Sequence, residues 1–374
     1  MIRVQAPGKL YVAGEYAVVD PGGAAVLVAV DRYVTVDLHE RADDGAGTVR
    51  SRQLATGGLA WVRERGDLVP TRPDPTAAPV LAAVRAADAL ALARGRRPRG
   101  YDLAVSSTLD AEDGRKLGLG SSAAVTVAAV RAVAALHGLD LSDLAVLKVA
   151  LAAQVTHDPS GSGGDLAASA HGGWVRYTSP DRAAVAALVA AHGLPAAVER
   201  DWPGLGVAAL PAPASVDLHV GWTGVPASSR RLVADALTPD DRSPAADRRD
   251  ALRDLRTGSD RAVEALAAAL RADDARRMLG AVRDARSALT AYGRRTGVVI
   301  ETPALTALVD AAERAGGAGK SSGAGGGDCG IALLPAGHET GTMTAAWRDS
   351  GVQLLPLRVT APAGQPTATD RERR

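Results

Sequence analysis

The stretch KLGLGSSAAVTVAAVRAVAAL, residues 116–136, constrains this chain more than any other. Two glycines and two serines separate a lysine from an alanine-valine run long enough for about four helical turns. Glycine loses more conformational freedom on folding than any other residue. A glycine-rich entrance to a helix therefore suggests that something comes close to the backbone. The first N–H groups of a helix lack intrahelical partners and, with the helix dipole, attract anions. Gly118 and Gly120 open the backbone, and Ser121 and Ser122 add hydroxyls at the helix start. The junction suits a polyphosphate. It is not a Walker A loop, because the GxxxxGK[ST] spacing is missing. Taken alone, a glycine turn capped by serine explains it equally well.

Three further segments shift that balance. PGKLYVAGEY (7–16) reads as a turn after a short strand and carries Lys9. SGSGGDLAASAHGGW (160–174) sets Asp165 at the end of a glycine run. That aspartate suits either the N-cap of a helix starting at Leu166 or a carboxylate aimed at a reacting hydroxyl. KSSGAGGGDCG (320–330) places five glycines in eleven residues and reads as a loop between a helix and a strand. Four lysines, Lys9, Lys116, Lys148 and Lys320, stand against 39 arginines, and three of the four touch these glycine segments. Where arginine is so favoured, a retained lysine suggests a need for a compact ammonium in place of a planar fork.

The 374 residues suffice for two domains, and 47% hydrophobic content supplies a sizeable core. A net charge of +1 gives no overall field for nucleic acid or an anionic membrane, so anion binding must be local. The aspartates and glutamates interleaved with the arginines of 228–295 make those helices solvated faces, not a nucleic-acid patch. No apolar run reaches the roughly 18 residues of a membrane span. The opening MIRVQAPGKL reads as a strand, not a signal peptide. The single cysteine, Cys329, forms no internal disulfide, fits a reduced cytoplasmic setting, and reads as a small buried hydrophobe. His157 and His171 read as helix-end groups.

Strand-like stretches fall at 24–40, 101–109, 172–179, 216–224, 326–335 and 352–359, and helical ones at 76–95, 121–136, 141–156, 228–293 and 302–317. Residues 41–53 read as a hairpin loop. The prolines of 200–215 suggest a boundary near 180–210, giving domains at 1–200 and 201–360 and a disordered tail at 361–374. Helices interleave with hairpin-like strand pairs, so the fold class is α+β.

In this order, PGK…GEY, GLGSSAA, GSGGD…GG and GAGGGDCG resemble the GHMP kinase superfamily over residues 1 to about 335. Three details resemble its bacterial phosphomevalonate kinase branch: GEYAVVDPGGAAVLVAVDRY, GWTGVPASSRRLV (221–233) and SSGAGGGDCGIAL. The resemblance implies a two-domain kinase. Its amino-terminal domain would be like ribosomal protein S5 domain 2 and its carboxy-terminal domain ferredoxin-like, with the site between them. It implies ATP and Mg²⁺ as cofactors and 5-phosphomevalonate as the acceptor, with no nucleic-acid or membrane partner.

Carried over residue by residue, Gly118, Leu119, Gly120, Ser121, Ser122, Ala123 and Ala124 would wrap the ATP phosphates, and Ser122 would face Mg²⁺. Lys9 and Lys116 would neutralise phosphate charge, and Asp165 would be the catalytic aspartate. Ser162, Ser228, Ser229, Ser322, Gly323, Ala324 and Gly325 would line the acceptor side, with Arg230 near them. One departure stands out: mevalonate kinases carry a metal-binding glutamate eleven residues before the aspartate, and here that position is Gln154, a poorer Mg²⁺ partner. Two alternatives remain: mevalonate kinase or another small-molecule kinase of the superfamily, or a non-catalytic nucleotide sensor. The sensor reading leaves the retained aspartate without a purpose.

An acceptor alcohol must lose a proton, whereas a phosphate monoester has a second pKa near 6 and is mostly a dianion near pH 7. With a phosphate acceptor, Asp165 is expected to orient or act electrostatically more than as a base.

Overall fold

The computed structural model describes residues 1–43, 45–54, 57–227 and 245–363. Two sheets organise it. The first has eight strands: β1 (Ile2–Ala13), β2 (Ala24–Glu40), β3 (Ala46–Ser51), β4 (Gly58–Glu64), β5 (Asp67–Pro70), β6 (Tyr101–Ser107), β7 (Trp174–Thr178) and β8 (Gly206–Leu210). The order is β5-β4-β3-β6-β2-β7-β8, with β1 antiparallel to β2. Among the described strands of this sheet, only the β3–β6 pair is parallel. Five helices accompany this sheet: α1 (Ala78–Ala93), α2 (Ser121–Leu136), α3 (Asp143–His157), α4 (Gly164–His171) and α5 (Arg182–Glu199), the last broken at Gly193.

The second sheet contains β9 (Val216–Trp222), β10 (Ala318–Ser322), β11 (Cys329–Pro335) and β12 (Gln353–Leu355), in the antiparallel order β10-β11-β9-β12. Helices α6 (Ala245–Ala272), α7 (Ala275–Thr296) and α8 (Pro303–Arg314) connect β9 to β10, and α9 (Gly341–Asp349) connects β11 to β12. This is the split β-α-β arrangement of a ferredoxin-like sheet, so the α+β class holds. β8 lies beyond residue 200 yet joins the first sheet.

The first core is built on small residues. Helix α2 buries Ala123, Ala124, Val127, Ala128 and Ala132 completely or nearly so, and alanine lets helix and sheet backbones approach closely. Ser142 caps α3 by accepting from the Ala145 N–H at 3.2 Å. Lys148 serves the architecture: its ammonium donates to the carbonyls of Val198 and Arg200 at 3.1 and 2.6 Å, closing the end of α5. His157 and His171 each turn Nδ1 onto the carbonyl four residues earlier, the helix-end role expected of them.

Several local expectations are corrected. The PGK segment is no turn: β1 runs straight through it, with a bulge between Pro7 and Gly8. Proline lacks a ladder N–H, so the register shifts there while the strand continues. Residues 41–53 contain β3, which pairs with β4, and β4 in turn with β5; neither β4 nor β5 has a clear signal in the sequence. Lys320, Ser321 and Ser322 belong to strand β10, not to a loop. The stretch Pro75–Ala93, which includes α1, is apolar and long enough to cross a membrane by length and composition, but its Val80, Leu81, Val84 and Leu90 lie in the core. Residues 361–363 are tied down, with Pro362 bridging Gly172 and the Ala363 N–H donating to the His171 carbonyl at 2.7 Å. The remainder of the expected tail, 364–374, lies outside the described residues.

Candidate active site

The glycine loop before α2 crosses directly over β1. The Lys9 N–H donates to the Leu119 carbonyl at 2.9 Å, and a side chain on Gly8 would stand 2.9 Å from that same oxygen. The crossing therefore requires glycine at position 8. Gly118 and Gly120 have φ of 77° and 79°, the left-handed region that glycine enters freely. Gly120 is the N-cap of α2, and Ser121 and Ser122 open the helix. Ser122 is exposed, whereas Leu119, Ala123 and Ala124 are buried and anchor the loop. The entrance keeps the unpartnered N–H groups that suit a phosphate.

Lys9 reaches the loop from beneath. Only 8% exposed, it donates to the Gly118 carbonyl at 3.3 Å and lies 5.3 Å from the Tyr11 ring centre. Lys116 is exposed at the start of the loop. Lys9 also borders a pocket formed with Tyr11, Glu15, Tyr16, Val18, Val19, Gln154, Asp158, Ser160, Gly161, Ser162, Asp165, Gly323 and Ala324. One lysine thus serves both the glycine loop and the pocket. A second cleft, between α6 and α7 around Arg261 and Tyr292, contains none of these groups.

Asp165 is not the N-cap of α4. Gly163 holds that position at φ 79°, and Asp165 lies in the first turn, accepting its own neighbour's N–H from Leu166 at 3.0 Å. Burial raises its pKa above the ordinary carboxylate value, and the Lys9 ammonium pulls it back. Ser162 pairs with the Tyr11 hydroxyl at 3.0 Å, while its carbonyl accepts from Tyr177 at 2.8 Å. Burial, with the Asp165 charge nearby, raises the Tyr11 pKa well above its ordinary value.

The expected residues of the third glycine segment are only partly available. Ser322 accepts from the Tyr11 N–H at 2.9 Å and donates to the Tyr11 carbonyl at 3.0 Å, stapling β10 to β1. Gly323 and Ala324 line the pocket, and the Ala324 carbonyl accepts from the Tyr16 hydroxyl at 2.6 Å. Gly325, at φ 77°, packs against the backbone of Ile300. Ser228, Ser229 and Arg230 lie outside the described residues.

Two carboxylates here were not singled out in the sequence. Glu15 is 2% exposed and pairs with the buried Lys320, so Lys320 is committed to this bond and not to a phosphate loop. Asp328, 8% exposed at φ 53°, packs against Gly118 and accepts from the Ala227 N–H at 2.9 Å. A charged residue inside an otherwise glycine-rich motif was the available signal for each. Cys329 follows Asp328 as the buried residue expected, its Sγ donating to the Leu117 carbonyl at 3.0 Å.

Comparison with known proteins identifies the family. Residues 81–173 match the family model described as GHMP kinases N terminal domain, and residues 251–351 match GHMP kinases C terminal. The chain is 46% identical to phosphomevalonate kinase of Streptomyces sp. strain CL190, over 94% of this chain and 95% of that protein. It is 27% identical to a mevalonate kinase of Thermococcus sibiricus, over 89% of each. Among solved structures, Streptococcus pneumoniae phosphomevalonate kinase in complex with phosphomevalonate and AMPPNP superposes with a TM-score of 0.81 at 31% identity, covering 96% of this chain and 100% of that one.

Proposed function

The chain belongs to the GHMP kinases, and from that premise we propose that it transfers the γ-phosphoryl group of ATP to (R)-5-phosphomevalonate, a step of the mevalonate route to isoprenoids. The bond from the γ-phosphorus to the β,γ-bridging oxygen breaks. A new bond forms to an oxygen of the acceptor phosphate, giving ADP and 5-diphosphomevalonate. The observation that carries this reading is the 46% identity over nearly the whole chain. The shared position of Lys9, between glycine loop and pocket, supplies its physical sense. The cytoplasm, reducing and rich in ATP, suits a chain with one buried cysteine.

Phosphoryl transfer depends on positioning and charge neutralisation. The loop 118–124 receives the nucleotide phosphates, and the exposed Lys116 closes on them. Lys9 neutralises charge where the two substrates meet. The pocket receives the acceptor, with Val18 and Val19 offering an apolar wall and Ser160 and Ser162 offering hydroxyls. The acceptor phosphate arrives as a dianion, so no proton need be abstracted. Asp165, beside Lys9, orients that ammonium and the acceptor.

Mg²⁺ fits the donor set present. Among the described residues no three acidic, histidine or cysteine groups cluster as a metal cage, but the exposed Ser122 hydroxyl opens α2. A hard cation that keeps most of its ligands from phosphates and water needs only such a partner and one or two carboxylates. Bound with the nucleotide, it would neutralise the β- and γ-phosphate charge.

ADP release with ATP and Mg²⁺, measured against 5-phosphomevalonate, mevalonate, homoserine and galactose, tests the reading. Turnover with 5-phosphomevalonate alone is expected. Turnover with mevalonate in its place would reassign the acceptor and return Asp165 to the role of general base.

A further inference from the structure

The third glycine segment holds a carboxylate where charge alone would disfavour one. Asp328 is 8% exposed and stands against the loop that receives phosphates. A β-carbon on Gly118 would meet its Cγ at 2.6 Å and its Oδ2 at 2.8 Å. The two lysines nearest in charge are Lys9 and Lys116, which both draw the carboxyl toward its ionised form against the effect of burial. Three bonds tie the same residue to the segment 223–227. Its Oδ1 accepts from Ala227, its N–H donates to the Val225 carbonyl at 2.9 Å, and its own carbonyl accepts from the Thr223 N–H at 2.9 Å.

A latch explains only half of this side chain. One oxygen holds the Ala227 N–H, and an asparagine could do the same without charge. Oδ2 lies on the Gly118 side. A negative charge there repels a triphosphate and cancels half of the charge that Lys9 and Lys116 supply, unless a cation stands between. We propose that Asp328 is the protein carboxylate that faces the divalent cation entering with the nucleotide. This rests on the reading of the chain as an ATP-dependent kinase. Mg²⁺ takes few protein ligands, commonly one or two carboxylates beside the phosphates. A carboxylate on the second sheet's β10–β11 connection also makes nucleotide binding sense the contact between the two sheets. Gln154 carries no charge, and Asp165 lines the acceptor pocket.

The test is ADP binding by titration calorimetry, once with excess Mg²⁺ and once with EDTA. Wild-type protein should bind Mg²⁺·ADP more tightly than ADP alone. Asp328→Asn should bind metal-free ADP at least as well as wild type but lose about tenfold of the gain from Mg²⁺. Asp165→Asn should retain that gain. Asp328→Ser, smaller and still able to accept from Ala227, is the second variant should the asparagine distort the loop. An undiminished Mg²⁺ gain in Asp328→Asn overturns the assignment. So does an equal loss of affinity with and without metal, which would leave the latch as the whole role, or a lost gain in Asp165→Asn instead. Wild-type protein that binds ADP in neither condition would overturn the kinase reading itself.

Discussion

Two groups of buried charges in this molecule are built on opposite rules. Far from the glycine loop, Arg63 on β4, Asp88 on α1 and His137 at the end of α2 form a closed set. The Arg63 guanidinium donates to both Asp88 oxygens at 2.6 and 2.9 Å, and His137 Nε2 stands 3.3 Å from one of them. Burial alone would raise the Asp88 pKa. Hydrogen bonds from His137 and Arg63, with the Arg63 charge, outweigh burial and hold it below the ordinary carboxylate value. Around the loop the pattern reverses. Asp165 and Asp328 have pKa values raised by burial, and each faces a lysine without a bidentate partner. The closed set stabilises the fold. On the proposed function the open set is completed on binding, its lysines by the phosphate anions and Asp328 by the cation that enters with the nucleotide.

The largest effect separating the two groups should come from Asp88→Asn. It leaves the buried Arg63 without its anion and should lower stability by about 3–5 kcal/mol, read by urea denaturation, with kcat per folded molecule unchanged. The folded pKa lies below the unfolded one. The stabilisation is therefore complete above about pH 4 and is lost as pH falls through the folded value. The gap between wild type and variant should narrow in acid. A gap independent of pH would mean that packing, not charge, holds the site.

Next in size is a pair of glycines in one loop. Gly118 (φ 77°) lies against Asp328, whereas Gly114 (φ 84°) has open space where a side chain would be. Gly114→Ala should cost only the left-handed strain, about 1–2 kcal/mol, and should leave the KM for ATP as it is. Gly118→Ala adds a collision and should lower kcat/KM for ATP at least tenfold more, read by steady-state kinetics. Equal effects would show that the loop's conformation, not its contact with Asp328, is what nucleotide binding requires.

The same division explains what was legible in the sequence. The glycine loop and α2 are legible because glycine φ values and helix entry are local chemistry. Asp165 was legible as a residue, though not as a group beside Lys9. The bulge at Pro7–Gly8 was hidden because it depends on β2, and β3 was hidden because its partners β4 and β6 hold it in place. Lys320 looked like a phosphate ligand beside glycines. Its partner, Glu15, lies 305 residues earlier, and no local pattern carries that pairing. Ser322 was named for the acceptor pocket, but it bonds the β1 backbone for the same non-local reason.

On the proposed mechanism, charge neutralisation, not proton abstraction, drives the transfer. Steady-state kinetics of Lys116→Ala and Asp165→Asn side by side, with 5-phosphomevalonate as acceptor, test it most directly. Removing one charge-stabilising group typically costs about 10²–10³ in kcat, and Lys116→Ala should show a loss of that order. Asp165→Asn should retain clearly more activity than the lysine variant. A much larger loss for Asp165→Asn would contradict the account and make that aspartate an obligate base.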